Sequence, residues 1–167
     1  MRKSIRFSAC IFICATLLTS CASKEYRKDI GCLELCDLAI ESFSDGEGYF
    51  EYSANFIEYE FGENARDADD SAILYSEKVE DINEIGIFFA DDEDDVRDIA
   101  KDCRKYLEDM KENKRAFISS YAPTELPKLD SAGVKICGNY VIYCILDKDT
   151  ADIVYDEIEK RLSNSDA

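Results

Sequence analysis

The sequence contains no histidine and no tryptophan. Without an imidazole, Ser-His-Asp and Cys-His catalysis, histidine general bases and histidine metal ligands are all excluded. Without an indole, a tryptophan-lined sugar site is excluded as well. Proline occurs only at Pro123 and Pro127, and glycine only seven times, so no Pro/Gly-rich linker divides the chain. No Cys-x-x-Cys occurs, which removes the spacing typical of dithiol redox sites and of thiolate zinc sites. There is no Gly-rich phosphate loop, no Gly-x-Ser-x-Gly, and no Ser-x-x-Lys beside a supporting motif.

Long apolar runs are also scarce, and the one that exists is at the N-terminus. Arg2, Lys3 and Arg6 precede an apolar stretch from Phe7 to Leu18, followed by Leu18-Thr19-Ser20-Cys21. Basic n-region, apolar h-region and small-residue ending have the order of a secretory signal. The run is shorter than the roughly 20 apolar residues a membrane-spanning helix needs. The Leu-small-small-Cys ending resembles the bacterial lipobox, whose cysteine thiol takes a diacylglyceryl group before cleavage on its N-terminal side. Residues 1–20 are therefore expected to be a lipoprotein signal peptide. Cys21 is the expected lipidation site, the lipid (palmitate-type acyl chains) holding the chain on the extracytoplasmic face of the cell membrane.

Of 167 residues, cleavage leaves 147, about one domain. It removes three bases and no acids, taking the net charge from −17 to −20. Such a charge disfavours nucleic acid and anionic surfaces, so no nucleic-acid partner is expected. Residues 21–29 read as the lipidated cysteine and a short polar tether, 30–162 as a single domain and 163–167 as a C-terminal tail.

Ile30 to Phe43 reads as an amphipathic helix with Leu33, Cys36, Ile40 and Phe43 on one face. Asp45-Gly46-Glu47-Gly48 is a turn. A short helix is expected from Ser53 to Phe61, with Gly62 just past its end. An Asp-rich loop leads to a strand over 72–79, and Ile85, Ile87 and Phe89 alternate in a second strand over 84–90. The longest helix is expected from about Asp92 to Ser120, with Val96, Ile99, Cys103, Tyr106, Met110 and Phe117 as its apolar stripe. Tyr121 to Lys128 reads as a loop. Strands over 133–137 and 140–146 form a hairpin across Gly138-Asn139, and a last helix over 150–162 carries Ile153, Ile158 and Leu162. The expected fold is α+β: a mainly antiparallel four-stranded sheet of two hairpins packed with helices, in the order α-α-β-β-α-β-β-α.

The lipobox, Phe61-Gly62, the Asp-rich approach to Ala72–Tyr75, Glu84-Ile85, Tyr121-Ala122-Pro123 and Gly138-Asn139-Tyr140 together resemble one family. It is the set of lipoproteins of clostridia-like Gram-positive bacteria that share the domain of unknown function numbered 4358. The resemblance spans roughly residues 30–162. It implies location and domain extent and brings no catalytic residues.

Five cysteines remain besides Cys21: Cys32, Cys36, Cys103, Cys137 and Cys144. Across the hairpin, Cys137 should face Tyr140 and Cys144 should face Gly133. That puts them roughly 13 Å apart along the strand, against the ~4.4–6.8 Å between Cα atoms that a disulfide needs. Cys32 and Cys36 lie one helical turn apart, with poor disulfide geometry. A link from a sheet cysteine to Cys103 or to the first helix is the better pairing. The thiols themselves read as inert core side chains, the alternatives being one structural disulfide and a redox or thiolate metal site. The acids Asp91 to Asp95 read as a solvated helix start favoured by the helix dipole; these and Asp67, Asp69 and Asp70 offer the oxygens calcium takes but lack the Asp-x-Asp-x-Asp-Gly loop pattern. No cofactor and no metal is expected. Tyr52, Phe56 and Tyr59 fall at helical spacing among Glu51, Glu58 and Glu60, and this stretch is the expected binding surface. The chain thus reads as a non-catalytic binding module for a protein or envelope partner. The alternatives are a hydrolase of envelope material working through Asp/Glu alone, or a thiol-based redox lipoprotein.

Overall fold

A computed structural model describes residues 24–44 and 47–163. The expected signal peptide, Cys21 and positions 164–167 of the tail lie outside the described residues, as do Asp45 and Gly46 of the expected turn. The elements run α1 Cys32–Glu41, β1 Tyr49–Glu51, α2 Ala54–Glu60, α3 Glu63–Arg66, β2 Asp70–Ser76, β3 Glu84–Phe89, α4 Glu93–Tyr121, a 3-10 turn Pro123–Glu125, α5 Leu126–Ser131, β4 Gly133–Cys137, β5 Tyr140–Ile145 and α6 Lys148–Ser163. The fold is α+β with a wholly antiparallel sheet, as expected. It has five strands among the described residues, ordered β1-β2-β3-β5-β4, rather than four.

The extra strand is β1, which pairs with the second half of β2 through Tyr49↔Ser76, Phe50↔Tyr75 and Glu51↔Leu74. Three residues are too few to display a period-2 pattern, which is why the sequence hides it. Two short helices also depart from the expectation. Gly62 does not take a left-handed cap; at φ −68° it opens α3. Pro127 sits in the first turn of α5, where its missing N–H costs nothing, so part of the expected 121–128 loop is helical. Both expected hairpins form, and β3 pairs with β5 to join them.

The sheet is covered on both faces. Ala72, Leu74, Ile85, Ile87, Tyr140, Ile142 and Cys144 face α1 and α6. Ile73, Phe88, Val141, Tyr143 and Ile145 face the layer built on α4, together with Phe61 and Ala65 from its neighbours. All six residues of β5 are buried. An antiparallel strand usually wets one face, and here the doubled burial accounts for the unbroken apolar run Tyr140 to Leu146.

The helix stripes are corrected in detail. In α1 the buried residues are Cys32, Leu35, Cys36, Ala39 and Ile40, while Leu33 is 43% exposed. The helix lies in the angle between sheet and α6, so its buried face is wider and rotated. Ile153 and Phe117 are exposed as well: their neighbours Val154 and Ile118 are buried, so both lie on the outward faces of α6 and α4. Asp92 caps α4 by accepting the Asp94 N–H at 2.7 Å, as its position at the helix start requires.

One end of the molecule gathers the chain's start. The Asn139 side chain donates to the carbonyls of Ala90 and Asp91, tying the β4–β5 turn to the start of α4. Gly138 holds that turn at φ +60°, and Tyr26 packs against it closely enough that a Cβ would meet the Tyr26 Cβ at 2.8 Å. The Arg27 N–H donates to the Leu162 carbonyl at 2.8 Å, and Lys24 pairs with Glu159 at 2.7 Å. Residues 24–29 are thus laid along the C-terminal end of α6. No helix among the described residues is long and apolar enough to cross a membrane.

Candidate functional site

Glu84 opens β3 on the face toward α4, and alternation puts Gly86 and Phe88 on the same side. It is a carboxylate in a core position, 5% exposed. Its Oε1 accepts from the Tyr143 hydroxyl of β5 at 2.6 Å and from the Tyr106 hydroxyl of α4 at 2.9 Å. Burial pushes the carboxyl up to about 7, against the pull of the Tyr143, Tyr106 and Tyr52 hydroxyls. Burial, with the Glu84 charge adding to it, raises the Tyr106 and Tyr143 phenols far above their ordinary range.

The two rings reach Glu84 because of what stands opposite them. Gly86 is the register partner of Tyr143. With no side chain at 86, the Tyr143 ring lies flat across β3; a Cβ there would meet Tyr143 Cε1 at 2.0 Å. Tyr106 is held by Phe61, whose ring stacks on it at 4.4 Å, and by Phe56 at 6.3 Å edge to face.

A ladder of rings runs outward from this point. Phe56 stacks on Tyr52 at 3.6 Å and 4°, Tyr52 on Tyr75 at 4.1 Å, and Phe50 tilts over Tyr75 at 6.3 Å. Phe50 is 52% exposed, so the ladder passes from the sheet edge to the acid. Of the three aromatics expected to form a surface, Tyr52 and Phe56 are half-buried members of this ladder and pack on the core. Tyr59 is 81% exposed. Tyr52 precedes α2 instead of lying on it, so the helical spacing does not place the three on one face. Sequence reasoning missed Glu84 as a site. Alternation of Ile85, Ile87 and Phe89 puts Glu84 on the opposite face of the strand, which reads as solvent-facing in the sequence and is buried because α4 covers that face too.

The cleft beside Tyr106, lined by Glu60, Asp109, Met110, Asn113 and Lys114, holds about 70 Å³, too little for a substrate. A larger open groove of about 350 Å³ lies between α2, α3 and the start of β2, lined by Ala54, Ile57, Glu58, Arg66, Asp67 and Ser71.

The cysteines Cys32, Cys36, Cys103, Cys137 and Cys144 are all free and buried. Cys137 stands opposite Tyr140 and Cys144 opposite Gly133, the register expected. Cys32, Cys36, Cys137 and Cys144 share the core under α1 and α6, and Cys103 lies in the other core. The sheet therefore separates Cys103 from both sheet cysteines, which corrects the expected link between them. Burial raises every one of these thiols, Cys137 to about 11 and Cys144 to about 12. Since the thiolate is the reactive form, the native chain should react with an aromatic disulfide reagent at these five positions only after unfolding. Rapid native labelling of any of them would contradict this burial.

The acidic clusters serve the backbone. Asp70 accepts the N–H groups of Cys32 at 2.7 Å and Ser71 at 2.9 Å, and Asp69 accepts that of Asp91 at 2.9 Å. Asp94 pairs with Arg97. Among the described residues no group of three Cys, Asp or Glu side chains is placed to hold a metal ion.

A family whose description reads Domain of unknown function (DUF4358) matches residues 45–146. That span runs from the approach to β1 through β5, and leaves α1 and α6 outside it. It is narrower than the 30–162 that the resemblance suggested. No curated protein and no solved structure matches the chain.

Proposed function

The chain belongs to the DUF4358 family, and from that premise we propose that it is a lipoprotein of the Gram-positive cell envelope. On this reading lipid on Cys21 holds it on the extracytoplasmic face of the membrane, where it works as a non-catalytic module binding a protein or envelope component. The observation that carries the reading is the ordered signal ending in Leu18-Thr19-Ser20-Cys21. Two acyl chains at about 0.8 kcal/mol per buried CH₂ suffice for stable anchoring. The docked segment 24–29 supports it, because only two residues, Ala22 and Ser23, separate Lys24 from Cys21. The enclosure of Glu84 under two tyrosines supports binding over hydrolysis. At this end of the ring ladder Phe50 and Tyr59 meet solvent while Glu84 does not.

The test uses the full chain in a Gram-positive host fed labelled palmitate. The mature protein should carry label and float with membranes, and Cys21→Ser should do neither. Label unaffected by Cys21→Ser would sink the anchor. Crosslinking in native membranes should then capture one reproducible partner that is lost when Phe50 and Tyr59 are changed to serine. These two are cleaner probes than Tyr52 and Phe56, which carry packing. Bare protein throughout would sink the binding reading.

A further inference from the structure

Among the described residues β1 is one of the two outer strands of the sheet, and hydrogen bonding specifies which of its backbone groups face away from β2. The Glu77 N–H donates to the Gly48 carbonyl at 2.8 Å and the Tyr52 N–H to the Ile73 carbonyl at 2.9 Å. In an antiparallel pair the bonded positions alternate. Gly48, Phe50 and Tyr52 therefore turn their backbone groups toward β2, and Tyr49 and Glu51 turn theirs away from the sheet. Two N–H and two C=O groups stand in line on that edge, the template to which an extended chain adds.

Its surroundings select what adds. Phe50, at the centre of the strand, is 52% exposed on one face, with Tyr75 and the ring ladder behind it. Glu47 and Glu51 are exposed, and the Glu77 carboxylate lies over Gly48, 3.3 Å from where a Cβ would stand. Lys78 is the one base near them in sequence, and Lys128, whose charge reaches Tyr49 through space, is already paired with Asp81 and Glu125. Residues 21–167 as a whole carry a net charge of −20 (−17 less the three bases of residues 1–20). A second copy or an acidic strand meets like charge here, whereas a strand bearing lysine or arginine meets opposite charge and an aromatic face for its cations. The edge also lies at the end of β2 remote from Asp70, which caps α1 near the chain's start. A partner would approach on the side away from the tether.

We propose that the β1 edge, Tyr49 to Glu51, is a docking site that takes an extended cationic segment of a partner protein by strand addition, with Phe50 as its apolar anchor. This rests on the reading of the domain as a binding module and names the chemistry of its partner.

The experiment uses the full mature chain in neutral-detergent micelles and two synthetic peptides with blocked ends. One alternates lysine with valine and threonine, and the other carries glutamate at each lysine position. Binding of the lysine peptide is read by anisotropy, and exchange of the Tyr49 and Glu51 amides by hydrogen exchange. The lysine peptide should bind at least about tenfold more tightly than the glutamate peptide, weaken with salt, and slow exchange of both amides. Glu51→Pro removes an N–H that β2 does not use, so binding should fall about tenfold or more while the ladder to β2 stays. Should that variant not fold, Glu51→Lys should reverse the peptide preference. Equal binding of both peptides, unchanged exchange at Tyr49 and Glu51 under saturating peptide, or self-association through this edge in sedimentation would overturn the proposal. A membrane partner captured by crosslinking without protection of these two amides would overturn the edge site and leave the module reading standing.

Discussion

Gly86→Ala should be among the most damaging single-methyl changes available in this chain. The added Cβ would stand 2.0 Å from Tyr143 Cε1 and 2.5 Å from Cζ. The obstacle is the side of a ring, fully buried between Phe61, Phe88 and Tyr106. It cannot give by a few tenths of an ångström. The ring must leave its place across β3, and with it goes the 2.6 Å bond from its hydroxyl to Glu84. Overpacking of this kind costs about 1–3 kcal/mol, and losing a hydrogen bond to a buried acid adds about 1–3 more. We expect urea unfolding to report about 3 kcal/mol or more, and a melting temperature lower by roughly 6–12 °C for a domain of this size. Combining Gly86→Ala with Tyr143→Leu should cost less than the two changes summed. A stability change under about 0.5 kcal/mol for Gly86→Ala would mean that the ring does not cross the strand there.

Glu84→Ala should be comparably severe, for an electrostatic reason. It leaves the Tyr106 and Tyr143 hydroxyls without their acceptor inside the core and opens a void, each at about 1–3 kcal/mol, so a loss of about 3–5 kcal/mol is expected. Glu84→Gln keeps an acceptor oxygen and should fold well, and it isolates the charge. The Glu84 carboxyl is raised in the folded chain to about 7 from its ordinary 4.5. The folded state therefore holds the proton longer than the unfolded one. The stabilisation is complete below about 4.5 and is lost as pH rises through about 7, in total of the order of 3 kcal/mol. Glu159 works in the opposite direction, because Lys135 and Lys24 hold it down to about 2, so its contribution disappears only in strong acid. Between pH 5 and 8, the wild type should lose stability relative to Glu84→Gln. Parallel curves for the two proteins would show that Glu84 does not change protonation in this range.

The parts of the fold visible in the sequence are those where one local signal suffices. The alternation of Ile85, Ile87 and Phe89 marks β3, and Gly138-Asn139 marks the β4–β5 turn. Asp92 and the acids after it mark the start of α4. What was hidden depends on neighbours remote in sequence. β1 is a strand only because β2 continues past it, and its three residues carry no period of their own. The face of α1 is set by two contacts at once, which is why Leu35 is buried and Leu33 is not. The Glu84 cluster draws on β3, α4 and β5, and no spacing along the chain encodes that a glycine two residues on makes room for a tyrosine 57 positions later. The cysteines were legible as core thiols, while their division between two cores required knowing which way each element faces.

The place of β5 in the sheet has a consequence for how the molecule comes together. Among the described residues it is the last strand in sequence but sits between β3 and β4, contributing to both cores. A chain emerging from its N-terminus can form the β1-β2-β3 meander early, yet neither core closes until residues 140–145 arrive. The pairing of Glu84–Phe89 with Tyr140–Ile145 must then close a loop that contains all of α4. Such distant contacts make for slow folding, and a preformed α4 shortens the search by bridging the gap as a rod of about 43 Å. Closure of both cores is thereby deferred until β5 is present. Chains truncated before Tyr140 should remain protease-sensitive, and those retaining Leu162 should not.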